Sequence, residues 1–304
     1  RLPRVEPILH NWEMNYKGVE ALHLHAFKTG TVSLPAVAVH RVDDIRRWRS
    51  LSALAFAIEH PKHGLTLVGT GLSRQTTLGP ERYFGSIRSA VFQVKMSAGQ
   101  DILSQLGTAG LAHLPIEEII MPDLSFLHAG GLELFDDVPI LTSPPELAAA
   151  NESTFFGFYR SDDFARISEW HFSDFDKKFP LGTFAKSYDL LGDGSIWLID
   201  VSGASAGGLA VLVNLPDRPV LLAGNLCRTE EQLRYAWMPG LVADPDLWWE
   251  RIWRLKKFAE LVPALTVIPS HDWNIVERAA STSFSFSVYG DIEDGKQESR
   301  KEPS

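Results

Sequence analysis

The sequence predicts an α/β sandwich in one long domain, and three observations predict it. Short stretches of strand length, apolar or alternating, recur along the chain. Segments with helix-like apolar spacing lie between them, and Gly, Pro and Asp mark the joins. No repeat or low-complexity tract divides the 304 residues, which suffice for a sizeable core. Strands mixed with helices across one unit must bury their apolar faces in layers.

The elements follow in order. Residues 1–20 are a mixed extension, 21–290 the domain, and 291–304 a charged, polar tail expected to be disordered. Ala21 to Phe27 alternates as a half-buried strand, which puts His23 and His25 on one partly exposed face. Leu54 to Glu59 and Leu65 to Val68 read as a hairpin turning at His60-Pro-Lys-His63-Gly64, so both histidines are expected in the turn. Ser89 to Leu106 has helical spacing closed by Gly107. Ile116 to Met121 is a short buried strand, and Leu132 to Phe135 a helix or turn. Val138 to Thr142 is a strand, followed by a helix over Pro145 to Ala150. Ile196 to Asp200, Ala210 to Asn214 and Val220 to Ala223 are strands, the first announced by the Asp193-Gly194 turn. Asp246 to Val262 is an amphipathic helix with Trp248, Ile252, Leu255 and Phe258 on its apolar side. Leu265 to Ile268 and Ser283 to Tyr289 complete the strands.

Composition narrows the function. A net charge of -9 gives no basic surface for nucleic acid, and the short runs Arg46-Arg47-Trp48-Arg49 and Arg254-Leu-Lys256-Lys257 suit solvated helix faces. Cys227 is the only cysteine, which leaves no intrachain disulfide and no thiolate zinc cluster. No apolar run approaches the roughly 20 residues that span a bilayer. With no signal-peptide core at Arg1-Leu-Pro-Arg, the default expectation is a cytoplasmic protein, with a homo-oligomer left open.

Several loops carry a resemblance. "MPDLSFLHAGG" (121–131), Gly69-Thr70-Gly71, Ser202-Gly203-Ala204-Ser205-Ala206-Gly207, Gly224-Asn225 and Pro269-Ser270-His271 fall in the order of the metallo-β-lactamase superfamily. The chain resembles most its N-acyl homoserine lactonase-like branch, over Leu22 to Trp273. The resemblance implies a four-layer αβ/βα sandwich: two mixed sheets face to face, helices outside, and the site at one edge. It also implies a metal centre, but the family's ligand positions hold other residues. The family's Asp-Thr-Gly is Gly69-Thr70-Gly71 here. Its His-x-His-x-Asp-His-x-Gly-Gly is Asp123, Ser125, Leu127 and His128, then Gly130-Gly131. Ala204 stands for a further His and Asn225 for the bridging Asp, and only His271 is kept.

A dinuclear site needs nitrogen and oxygen ligands around each ion, and catalytic zinc takes three plus water. Ala and Leu cannot ligate, and the neutral Ser and Asn are poor substitutes. The expectation is therefore a lactonase-like pseudoenzyme with no cofactor, which binds a small apolar or lactone-like molecule or a partner. One alternative is an ester or lactone hydrolase with a single zinc or other divalent ion on His128, His271 and Asp123. Another is a metal-independent enzyme that uses Asp123, Ser125, His128 or His271 as acid, base or nucleophile. The segment Phe155 to Phe184 is unusually aromatic, and in lactonase-like relatives the matching insertion, about 151–190 here, covers the pocket. Phe155, Phe156, Tyr159, Trp170 and Asn225 are the candidate pocket residues, with a core or dimer surface as the competing role for the aromatics.

Overall fold

The computed structural model describes residues 16–152, 158–173, 175 and 179–290. The strands in chain order are β1 (His23–Pro35), β2 (Trp48–His60), β3 (Gly64–Val68), β4 (Gln93–Lys95), β5 (Ile116–Ile120), β6 (Ile140–Thr142) and β7 (Trp170–Phe172). Then come β8 (Phe179–Leu181), β9 (Phe184–Asp189), β10 (Ile196–Asp200), β11 (Leu209–Asn214), β12 (Pro219–Leu222), β13 (Thr266–Ile268) and β14 (Phe286–Tyr289).

They form two mixed sheets. One runs β14-β1-β2-β3-β5-β6-β7 with β4 on β1, and the other β13-β12-β11-β10-β9-β8. The inner faces meet in a core of Leu24, Ala26, Phe56, Ile58, Leu198, Val211, Val213 and Ile268. Helix Pro245–Leu261 covers the outside of the second sheet through Trp248, Ile252, Leu255 and Phe258, the residues its spacing selects. Helix Ile102–Thr108 lies against the outside of the first, with Ile102 and Leu106 beside Phe27 and Leu67. Apolar residues on alternate sides of each central strand thus bury both faces, giving helix, sheet, sheet, helix.

Three expectations change. Ser89 to Leu106 is not one helix: helix Pro80–Val91 ends, β4 follows, and a new helix begins at Ile102. Asp101 caps that start by accepting from the Ser104 amide, and Gln93, Val94 and Lys95 pair with Ser33, Val32 and Thr31 of β1. The first strand runs on to Pro35 and is buried on both faces, so His25 is buried, bonded to Glu59 and stacked on Tyr289. His60 ends β2 rather than standing in the turn, and it too is buried. Helix Trp273–Ala280 and strands β7 to β9 add elements that the pattern did not single out. Phe155, Phe156 and the expected tail lie outside the described residues.

Candidate functional site

The site lies where β5, β12 and β13 end. Asp123 follows β5 by three residues and is fully buried. Its Oδ1 accepts the Ser125 amide N–H at 2.8 Å, an Asx turn that bends the loop into helix Phe126–Ala129. That helix carries His128, whose Nδ1 donates to the same Oδ1 at 3.0 Å. The double glycine after it fits against the loop that follows β3: a Cβ on Gly131 would lie 2.5 Å from the Thr70 carbonyl. A larger residue there would displace the Thr70 backbone, whose N–H bonds the His128 carbonyl at 2.7 Å.

Asn225 sits in the turn Gly224–Leu226 after β12. Its side-chain N–H donates to Asp123 Oδ2, and its Oδ1 accepts from Arg228 Nε at 2.9 Å. His271 follows β13, and its ring stacks on that of His128 with centroids 5.0 Å apart and 22° between planes. Its Nδ1 donates to the Ser52 carbonyl at 3.0 Å, so in the neutral ring Nε2 is an acceptor, and it is buried with no partner. Asp123, His128, His271 and Asn225 are thus brought together from three separate segments, Asp123 and His128 sharing the one that follows β5.

Burial alone would push the Asp123 carboxyl up. The His128 ring and the Ser125 amide outweigh it and hold it well below the usual carboxylate range. His271 is held well below the ordinary histidine value by burial, then by His128 and Arg228. The unfolded chain therefore takes up that proton first. The contribution to stability is present above about pH 6.5 and is lost as pH falls below it. Urea unfolding at pH 7.5 and 5.5 should show the wild type losing more stability than His271→Asn over this interval. Parallel losses would contradict a neutral buried imidazole.

A cavity of about 300 Å³ opens beside these residues, lined by Asp123, Ser125, Tyr159, Asn225 and Arg228, with Phe158, Ala204, Leu241, Val242 and Ala243 among its apolar wall. Tyr159 and Asn225 therefore line it. Trp170 does not: it lies on β7 against Phe164, partly buried against the core below the outer helices. The aromatic segment reaches the site by backbone pairing, since Phe126 N–H bonds to the Phe158 carbonyl and Tyr159 bridges Ser125. Three residues that the sequence did not single out build the rest. Glu146 is fully buried and accepts from the Leu124 and Gly207 amides and from the Tyr159 hydroxyl. Arg228 and Ser205 face the cavity.

Two catalytic arrangements can be checked on this geometry. For a Ser/His/Asp relay, His128 is oriented by Asp123, but among the described residues no hydrogen bond joins its ring to Ser125. For a metal, the free nitrogens are Nε2 of His128 and Nε2 of His271. Asp123 holds His128 at Nδ1 and so lies behind the ring, away from any ion on Nε2. The carboxylate cannot complete the set of His128, His271 and Asp123, and catalytic zinc needs a third protein ligand. The fully buried Arg228 guanidinium also puts a cation where a dication would need compensating negative charge. The pocket residues therefore do not fit the metal centre that the resemblance implies.

Among the described residues, one group of His, Asp, Glu or Cys brings three ligand atoms within 4.8 Å of one another: His60, His63 and Asp193. It lies at the opposite edge, eight residues along β2 from Ser52, or roughly 26 Å at strand rise. His60 already accepts the Lys62 amide at Nδ1 and bonds Asp193 through Nε2, so an ion there must displace a hydrogen bond.

Two face-to-face mixed sheets, flanking helices and a pocket at the strand ends define the metallo-β-lactamase fold. The chain resembles the lactonase-like members of that superfamily. It is 25% identical to the N-acyl homoserine lactonase AttM of Rhizobium radiobacter over 221 residues, covering 71% of this chain and 80% of the relative. An N-acyl homoserine lactone hydrolase, solved with N-hexanoyl-L-homoserine at its catalytic metal centre, superposes with a TM-score of 0.71 at 20% identity. The match covers 88% of this chain and 98% of that one. AbOPH, a hydrolase of the β-lactamase superfamily, superposes with a TM-score of 0.57 at 15% identity over 84% of this chain and 89% of its own. No protein-family model matches the chain. No helix among the described residues is long and apolar enough to cross a membrane.

Proposed function

We propose that the chain is a lactonase-like protein that binds a small molecule in the Asp123–Arg228 pocket without a hydrolytic metal. The observation that carries this is the position of Asp123. It faces His128 Nδ1, Ser125 and Asn225, and among the described residues leaves two imidazole nitrogens as the pocket's strong transition-metal donors. The scaffold around it keeps the close loop contacts, an apolar wall and convergent polar groups, which are the ingredients of a ligand site. In this reading the loop at 121–131 is a degenerate metal motif whose buried hydrogen bonds now hold the pocket's shape.

The test uses N-hexanoyl-homoserine lactone with protein preincubated with zinc, manganese or iron. The expected result is hydrolysis at the buffer rate, together with a ligand-dependent rise in melting temperature. Chelator-sensitive turnover lost in His271→Ala would establish the single-metal hydrolase instead. Chelator-insensitive turnover lost in His128→Ala would establish a metal-independent enzyme.

A further inference from the structure

We propose that the pocket selects a carboxylate, held by Arg228 and Ser205, on a short apolar chain. The inference rests on the binding role above and adds the chemical class of the ligand.

Arg228 is 4% exposed, yet among the described residues no carboxylate pairs with its guanidinium within 4.0 Å. Its hydrogen bonds are to neutral oxygens: Nε to Asn225 Oδ1 at 2.9 Å, and Nη1 to the Ala38 carbonyl at a long 3.4 Å. The face of Phe158 lies 5.2 Å from Cζ. A buried guanidinium with five donors and so few acceptors is under-satisfied, and burial indeed pulls its pKa down. Nη2 makes no hydrogen bond among the described residues, and Arg228 lines the cavity. Ser205, 7% exposed and on the same wall, has a hydroxyl with no hydrogen-bond partner.

A planar carboxylate satisfies a guanidinium fork through two parallel bonds, which no neutral group matches. Asp123 does not fill this role. Its two oxygens are taken by His128, Ser125 and Asn225, and the Asn225 amide stands between it and Arg228. Beyond the polar end, Phe158, Ala204, Leu241, Val242 and Ala243 give an apolar wall. A cavity of about 300 Å³, at the small end of ligand sites, suits a chain of roughly six carbons.

Sodium hexanoate and hexanamide, which differ in charge and in an NH2 that replaces one carboxylate oxygen, are titrated into the full chain by calorimetry. N-hexanoyl-homoserine lactone is titrated in parallel. Hexanoate is expected to bind at least tenfold more tightly than hexanamide. Arg228→Lys, which keeps the charge and loses the fork, should weaken hexanoate about tenfold, and Ser205→Ala, which leaves the fold undisturbed, about fivefold. Equal binding of acid and amide, unchanged by Ser205→Ala, would overturn the carboxylate assignment and leave the pocket's binding role standing. Binding of the lactone alone would do the same. No binding of any of the three would overturn both.

Discussion

Replacing Asp123 with alanine is expected to destabilise the folded chain by about 3–5 kcal/mol, seen as a loss of roughly 10 °C in melting temperature. Three buried donors lose their acceptor at once: His128 Nδ1, the Ser125 amide and the Asn225 side chain. Each buried group left unsatisfied costs about 1–3 kcal/mol. Arg228 also loses the nearest negative charge in its surroundings. Asp123→Asn keeps the shape and some acceptor capacity, so it should fall between wild type and alanine. The sign is informative. In a metal-stripped metalloenzyme a ligand carboxylate is a buried charge without its ion, and removing it is tolerated or stabilising. Chemical unfolding of chelator-treated protein reads the difference, and a neutral or stabilising alanine would show that Asp123 is not the structural acceptor described here.

Trp248→Ala should cost a similar amount, about 3–5 kcal/mol, for a different reason. The indole is fully buried between helix Pro245–Leu261 and the second sheet. Its Nε1 donates to the Leu226 carbonyl at 3.1 Å, and Leu226 belongs to the turn that presents Asn225. The substitution leaves a cavity and an orphaned carbonyl in one step. Trp248→Phe keeps most of the volume and isolates the hydrogen bond, so it should cost about 1 kcal/mol from that term. Trp237→Ala, at a residue 36% exposed, serves as the control and should stay within about 1 kcal/mol. Equal losses at Trp237 and Trp248 would mean that the helix is not seated as described.

The sequence made some of this architecture readable and concealed the rest for physical reasons. The β2–β3 hairpin, helix Pro245–Leu261 and the strand before His271 are local: one face, one turn and one period describe each. The stretch Ser89 to Leu106 misled because Val91 and Leu103, 41% and 40% exposed, supplied apolar residues at helical spacing without a buried face. The partner that makes Gln93–Lys95 a strand is Thr31–Ser33, some sixty residues away. Helix Trp273–Ala280 had a signal, in Ile275, Val276, Ala279 and Ala280, that goes with an N-terminal Asp272.

At the site, the loop at 121–131 and His271 could be found from the sequence because each stands in a recognisable loop. That Asp123 faces Nδ1 rather than Nε2 of His128 could not, since spacing fixes which residues are near but not which ring nitrogen is bonded. Arg228 and Glu146 had no signal. One is a lone Arg in Cys227-Arg228-Thr229, the other an acidic residue in the first turn of a helix, where acids are common. Their burial comes from sequence-distant packing, and Tyr159, Gly207 and Asn225 give them their roles.

Whether the pocket holds a metal ion is decided by the metal content of protein purified without chelator. Elemental analysis per chain follows incubation with zinc, manganese and iron, for wild type, His271→Ala and His63→Ala. No ion that depends on His271 is expected. Any bound ion should be lost in His63→Ala, which places it at the His60–His63–Asp193 edge. About one ion per chain that survives His63→Ala and is lost in His271→Ala would make the pocket a metal centre.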